Sequence, residues 1–275
     1  MEAVPSRHPR RPAPRFLRGA ARLSTPALPD PWAPLRALTP ARIALGRAGT
    51  SLPTAAHLEF QLAHARARDA VHHALDVPAL RDALERAGLP SLAVRSRAAD
   101  RATFLQRPDL GRRLDPESRD RLTAVAAAGD PGADAVIVVG DGLAAAAAQR
   151  HAAPVVAALV PLLRDAGWRL APVVVAEQAR VALADEVGAL LDARMALILL
   201  GERPGLTAPD SLGAYLTWEP RRGRTDAERN CVSNIRPDGL PYARAAERLH
   251  YLMIEARRRR ITGVALKEES GMLGA

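Results

Sequence analysis

Several residue types are rare in this sequence, and each shortage excludes a class of protein. A single cysteine in 275 residues excludes an intrachain disulfide and a zinc site built from thiolates, and it fits a reducing cytosolic setting. No apolar run approaches the ~18–20 residues that a membrane-spanning helix needs. The proline- and arginine-rich N-terminus lacks the apolar core of a signal peptide. We therefore expect a cytoplasmic protein without a membrane partner.

Aromatic residues and lysines are also scarce, which limits what the positive charge can mean. Phe, Trp and Tyr make up 3% of the chain, too few for a platform on which single-stranded bases stack. The net charge of +9 would suit an acidic partner such as nucleic acid. However, Lys267 is the only lysine, and an alanine- and arginine-rich composition throughout indicates a bias of the whole genome. We expect no nucleic-acid partner, and an arginine-rich nucleic-acid adaptor is kept only as an alternative.

The first 120 residues divide into two predicted regions. Residues 1–36 contain eight prolines and no periodic apolar pattern, which predicts a flexible arm. The spacing of apolar residues in 37–120 predicts a helical N-terminal region. Its first helix begins at Thr54, a second short helix extends over Asp76–Val94, and Arg95–Asp120 is a proline-broken connector with helical pieces.

From residue 121 to residue 275 strands alternate with helices. Short apolar runs predict buried strands at Ala135–Val139, Leu170–Val175, Met195–Leu200 and Ala214–Trp218. Amphipathic segments predict helices, with a break at Pro154, over Leu143–His151, Pro154–Ala166, Asp185–Ala193 and Pro241–Arg260. This alternation predicts an α/β fold with a Rossmann-like, doubly wound parallel sheet. Ligands of such sheets lie beyond the carboxyl ends of the strands.

One loop in this region matches a dinucleotide-binding pattern. Gly140–Ala145 reads G-x-G-x-x-A and follows a predicted strand. The pattern also requires an acidic residue ~20 residues on, at the end of the next strand, but that strand ends near Val175. The glycines would serve equally for close packing. A Rossmann-type NAD-dependent oxidoreductase that uses Gly140–Ala145 is therefore an alternative function.

No complete set of catalytic residues is recognisable in the sequence. It contains neither a G-x-x-x-x-G-K phosphate-binding loop nor a G-x-S-x-G nucleophile turn. His64 and His72 share a helix face with Arg68, whose charge would repel a metal ion. Glu202 directly follows an apolar strand, and Cys231 lies in a second polar loop without an obvious base beside it. We predict no catalytic residue and no metal site in this chain, and a binding site where these two loops meet.

Six segments form an ordered set along the chain. They are Leu38–Gly46, Phe60–His72, Val138–Leu143, Arg180–Gly188, Gly201–Leu206 with Ser211–Tyr215, and Arg229–Ile235. Together they resemble the small subunit, or light chain, of ethanolamine ammonia-lyase, a bacterial enzyme that depends on adenosylcobalamin. The resemblance extends from about residue 38 to residue 266 and leaves out the predicted arm. Six motifs in one order are far more specific than any single motif.

The resemblance implies a function and a site. The enzyme is a carbon–nitrogen lyase that converts ethanolamine to acetaldehyde and ammonia, and its large TIM-barrel subunit holds the substrate. The small subunit covers the cobalamin at the interface between the two chains, and six chains of each kind assemble. By motif position, Val181, Glu202 and Cys231 are expected to contact the cobalamin. This assignment makes residues 121–275 a cobalamin-binding domain.

The resemblance also implies how the cofactor is bound and where the enzyme is found. None of the seven histidines has an aspartate two positions before it, so the Asp-x-His-x-x-Gly motif that supplies cobalt with a histidine is missing. The cobalamin is therefore expected to keep its own dimethylbenzimidazole as lower ligand, with no ligand to cobalt from this chain. We expect a cytoplasmic enzyme, packaged in a bacterial microcompartment if the host makes one.

Overall fold

The structure describes most of the chain. It is a computed structural model, and the residues that it describes are 28, 30–128 and 132–267. Residues 1–27 of the predicted arm lie outside the described part, so the flexibility of the arm stays a prediction. The chain forms two compact units, with the boundary between Glu59 and Phe60. Within the described residues of the first unit, Ala33–Leu38 forms a short 3-10 helix.

Seven α-helices and six strands are present in the described residues. In chain order the helices are α1 (Thr54–His72), α2 (Val77–Arg86), α3 (Arg101–Gln106), α4 (Pro116–Ala128), α5 (Ala145–Asp165), α6 (Leu183–Leu190) and α7 (Tyr242–Arg259). The strands are β1 (Ser91–Arg95), β2 (Val136–Gly140), β3 (Val173–Glu177), β4 (Met195–Gly201), β5 (Leu212–Trp218) and β6 (Arg229–Ile235). The predicted α/β class is confirmed.

All six strands form one mixed sheet in the order β1-β3-β2-β4-β5-β6. The first four strands in this order are parallel to their neighbours, whereas β5 is antiparallel to β4 and β6 is antiparallel to β5. The prediction of a wholly parallel sheet is therefore wrong at β5 and β6. The connection from β4 to β5, residues 202–211, is shorter than the dozen or more residues that a crossover to a parallel strand needs.

Two local predictions are also wrong. The second helix ends at Arg86, and the chain then turns through Gly88 at φ +72° into β1, which pairs with β3 inside the range predicted as helix. Helix α5 continues without a break through Pro154 and Pro161. Both prolines are exposed, while the opposite side of the helix is buried against its neighbours. This burial outweighs the hydrogen bonds that the prolines remove.

The helices pack on both faces of the sheet. Helices α2, α5 and α7 cover one face, while α4 and α6 cover the other face over β1, β2 and β4. Among the described residues, α5 is the one helix long and apolar enough to cross a membrane by length and composition. Half of its apolar stretch is buried inside the protein, as in the core helix of a globular domain. Helices α5 and α7 pack against β5 and β6 on one side. On the other side, within the described residues, Asp185 of α6 reaches Arg229 at the start of β6, while Tyr215 and Cys231 stay at least partly exposed.

Candidate functional site

On the α6 side of β5 and β6 lie Gly213, Tyr215 and Cys231, a surface that we name the open face. Tyr215 and Cys231 are direct cross-strand partners, and Gly213 lies two residues before Tyr215 on the same side of β5. Cys231 is exposed and Tyr215 is half-buried. The predicted second polar loop around Cys231 is wrong, because Arg229–Ile235 is an edge strand. Val232 and Ile235 of this strand belong to the hydrophobic core, while the neighbouring Cys231 points to the other side of the sheet.

Glu202 lies at the edge of the open face, directly after β4. Its carboxylate accepts a hydrogen bond from Ser211 Oγ at 2.5 Å, and the backbone amide of Asn234 lies 3.4 Å from the same oxygen. A Cβ at Gly213 would lie 2.7 Å from Glu202 Oε1, so the carboxylate extends across Gly213. The absence of a side chain at Gly213 therefore makes room for Glu202. Glu202 and β6 meet here, where we predicted the two segments to converge.

The charge of Glu202 influences both polar side chains of the open face. Although Cys231 is exposed, the protein around its sulfur excludes enough water to raise the pKa of the thiol, and the negative Glu202 raises it further. Burial raises the pKa of the Tyr215 hydroxyl, which is hydrogen-bonded to Cys231. Both groups are therefore protonated at neutral pH. The open face then presents two weakly polar groups beside a single carboxylate.

Val181 lies elsewhere in the site, between the end of β3 and the first turn of α6. It lines a cavity of about 630 Å³ that also contains Asp185 of α6 and Arg229, the first residue of β6. Arg229 and Asp185 form two hydrogen bonds of 2.7 Å each, and Arg229 also donates to Thr217 Oγ1 at 2.8 Å. These three side chains are buried. They attach α6 to β5 and β6, and they link the cavity of Val181 to the sheet that carries the open face.

Sequence reasoning missed these supporting residues. Ser211 and Tyr215 lie inside a segment quoted for the resemblance, but their partners depend on strand register, which the sequence does not give. Asp185 and Arg229 are 44 positions apart and pair only through the fold. Acidic residues are common in the first turn of a helix because they interact favourably with the helix dipole. The position of Asp185 in the sequence therefore did not indicate a buried ion pair.

The Gly140–Ala145 loop is filled by the protein itself. Gly142 has φ +56°, and a Cβ there would lie 2.2 Å from the carbonyl oxygen of Gly201. The amide of Leu143 donates to that same oxygen at 2.9 Å. The Asp141 carboxylate accepts from the backbone amides of Gln178 and Ala179. Because these glycines serve close packing between the β2 and β4 loops, the dinucleotide alternative loses its support.

The fold and the site together define a class of protein. Within the described residues, no group of three or more His, Cys, Asp or Glu side chains could hold a metal ion. The open face offers one fixed carboxylate, a thiol and a hydroxyl that both stay protonated, and a partly exposed sheet surface. Such a surface is suited to binding and to being covered by a ligand or another chain. The chain is therefore an α/β protein with a mixed six-stranded sheet and a partly exposed surface at its antiparallel edge.

Comparison with known proteins identifies the family. Residues 29–267 match the family model Ethanolamine ammonia-lyase light chain (EutC). The chain is 61% identical over 246 residues to the ethanolamine ammonia-lyase small subunit of Azotobacter vinelandii, covering 90% of this chain and 91% of the relative. The small subunit of Xanthomonas campestris pv. campestris is 57% identical over 250 residues, which cover 90% of this chain and 92% of the relative. The small subunit of Pseudomonas aeruginosa is 59% identical over 241 residues, which cover 88% of each chain. The chain belongs to the ethanolamine ammonia-lyase small-subunit family.

Proposed function

We propose that this chain binds adenosylcobalamin at an interface with the large subunit of ethanolamine ammonia-lyase. The observation that carries the proposal is the open face, which lies beside Glu202 in a member of this family. The relatives are named small subunits, which supports a large-subunit partner for this chain as well. The partly exposed surface of β5 and β6 is where a cofactor and a second chain would together complete the packing.

The residues present fit a corrin ring with its amide side chains. Amide groups donate hydrogen bonds, and the Glu202 carboxylate is a fixed acceptor beside the flat surface of β5 and β6. Gly213 adds no side chain above the strand, and Cys231 adds a small, soft one. Val181 would add an apolar contact from the adjoining cavity. The site therefore offers binding groups of the kinds that the cofactor's ring and periphery need.

The cobalt ion would receive no ligand from this chain. The open face carries no histidine, and the buried His151 in α5 is hydrogen-bonded to the hydroxyl of Tyr242 at 2.8 Å. The cofactor would therefore keep its own dimethylbenzimidazole as lower ligand. The chain's task is then restricted to holding and orienting the macrocycle.

The division of labour follows from these groups. Bound adenosylcobalamin supplies the radical chemistry that converts ethanolamine to acetaldehyde and ammonia. Glu202 accepts hydrogen bonds from corrin amides, each worth roughly 1.5–3 kcal/mol for a charged acceptor. Ser211 keeps the Glu202 carboxylate in place, and Tyr215 supports Cys231 from the neighbouring strand. No residue of this chain is proposed to act on the substrate, which the TIM-barrel subunit would hold.

The assembled enzyme would contain six large and six small chains in the cytoplasm. It would be enclosed in a bacterial microcompartment if the host makes one. The proposed lyase activity belongs to the complex and not to this chain alone.

Co-expression with a matching large subunit tests the proposal. The purified complex should show the visible spectrum of a bound corrinoid after incubation with adenosylcobalamin, and it should release ammonia from ethanolamine. The isolated small chain should neither release ammonia from ethanolamine nor bind the corrinoid tightly. Ammonia release by the small chain alone would contradict the division of labour, and a complex without bound corrinoid would contradict the cofactor assignment.

A further inference from the structure

The cavity beside Val181 carries more positive charge than its own acids neutralise. Three aspartates line it, and each is already engaged by an arginine: Asp185 and Asp226 by Arg229, and Asp109 by Arg107. Four further arginines of the lining have no carboxylate within 4.0 Å among the described residues, and they are Arg112, Arg113, Arg180 and Arg222. Cations gathered in one cavity repel each other, so an anion in the cavity would stabilise the arrangement.

Arg180 is held in place for such a role. Its guanidinium lies over the ring of Phe104, 4.2 Å from the centroid, and Nη2 donates to the carbonyl oxygen of Phe104 at 3.2 Å. A Cβ at Gly111 would lie 2.9 Å from Arg180 Cγ, so the side chain also packs directly on this glycine. Nε of Arg180 is buried without an acceptor in the described part. Burial, followed by the charges of Arg101 and Arg112, lowers the pKa of the Arg180 guanidinium, as expected among crowded cations.

The backbone adds donors to the same cavity. Helix α6 begins at Leu183, and its N-cap residue Ala182 provides no side-chain cap. Neither the Val181 amide nor the Ala182 amide donates a hydrogen bond within the residues that the structure describes, and both residues line the cavity. Free amides at the positive end of a helix favour an anion. Backbone amides and several guanidinium groups are together the donors that proteins use for phosphate.

We propose that this cavity is an anion site that takes a phosphate group. Two sources share this chemistry: the phosphodiester in the nucleotide tail of the cofactor, and free phosphate. The first source rests on the proposed function, because Val181 lies both in this cavity and in the proposed cobalamin site. The second source does not depend on the cofactor.

The test uses the complex of this chain with its large subunit at low ionic strength. The variant Arg112→Gln/Arg222→Gln removes two exposed cations of the cavity, so its folding should be unaffected. The matched control Arg86→Gln/Arg164→Gln removes two exposed cations elsewhere in the chain. Binding of adenosylcobinamide phosphate and of adenosylcobinamide, which differ only in the phosphate, is measured by absorbance titration. Stabilisation by inorganic phosphate is measured as a shift in Tm.

If the cofactor supplies the phosphate, the cavity variant should bind adenosylcobinamide phosphate about tenfold more weakly than the wild type does. Its affinity for adenosylcobinamide should be unchanged, and the control variant should bind both compounds like the wild type. If free phosphate is the ligand, inorganic phosphate should raise the Tm of the wild type and the control but not of the cavity variant. Arg180→Gln should behave like the cavity variant, with its fold checked by circular dichroism. Equal responses of cavity variant and control in both assays would overturn the proposal. A complex that binds no corrinoid would refute the proposed function alone, because the phosphate measurement still decides the anion site.

Discussion

Replacing Gly213 by alanine tests whether the Glu202 carboxylate must lie across the open face. The added Cβ would lie 2.7 Å from Glu202 Oε1 and 3.0 Å from its Cγ. The first distance is too short for a real Cβ and the second is tight, and the atoms involved belong to a flexible side chain. The carboxylate should therefore move away while β5 keeps its pairing with β4 and β6.

The expected loss follows from the hydrogen bonds that Glu202 makes. In its present position the carboxylate accepts from Ser211 Oγ at 2.5 Å and is aimed along the open face. A displaced carboxylate loses this support and any hydrogen bond from a corrin amide. One hydrogen bond to a charged group is worth roughly 1.5–3 kcal/mol, so the affinity for adenosylcobalamin should fall about 10- to 100-fold.

The assay is an absorbance titration of adenosylcobalamin into the complex of large and small subunits. Gly205→Ala, in the loop that precedes β5, is the matched control, because a Cβ there would lie 3.5 Å from its nearest neighbour, the carbonyl oxygen of Ala208. The control should bind like the wild type, and the Tm of Gly213→Ala should show that the chain is folded. Wild-type affinity in Gly213→Ala, or an equal loss in both variants, would refute the role of the Glu202 position.

Two further predictions concern the same site. Because the thiol pKa of Cys231 is raised, iodoacetamide should modify this only cysteine slowly at neutral pH, with the midpoint of the pH profile above the usual range. Glu202→Gln should move that midpoint to lower pH, and an unchanged profile would show that the two groups do not interact. Asp185→Asn leaves the buried Arg229 charge without its partner and should lower the free energy of unfolding in urea by roughly 3–5 kcal/mol. Asp226→Asn, at an exposed partner of the same arginine, should change it by less than about 1 kcal/mol, and similar losses in both variants would contradict this account.

Much of the sheet could be predicted because its central strands β2, β3 and β4 are buried on both faces. The apolar runs of β2 and β4 have no polar alternation, and this pattern alone distinguishes them from loops. Strand β1 was missed because Leu89 continues the helical spacing of Leu80 and Leu84. The direction of β5 was also out of reach, since an apolar period reports burial and not orientation.

The candidate site was predictable in its motif residues and not in their surroundings. Glu202 follows a buried strand, so its position at the sheet edge could be inferred from the sequence. The position of Cys231 in a strand could not be inferred, because the polar residues of Arg229–Ile235 stand in adjacent pairs, Arg229-Asn230 and Ser233-Asn234, and give no alternation of polar and apolar positions. The support from Ser211 and Tyr215 depends on pairings between strands, which only the folded chain determines.

The most direct test of the central claim is an experimental structure of the large and small subunits assembled with adenosylcobalamin. The corrin ring should lie on the open face, in contact with Val181, Glu202 and Cys231, with its dimethylbenzimidazole on the cobalt. A corrin ring bound away from the open face and from all three residues would contradict it.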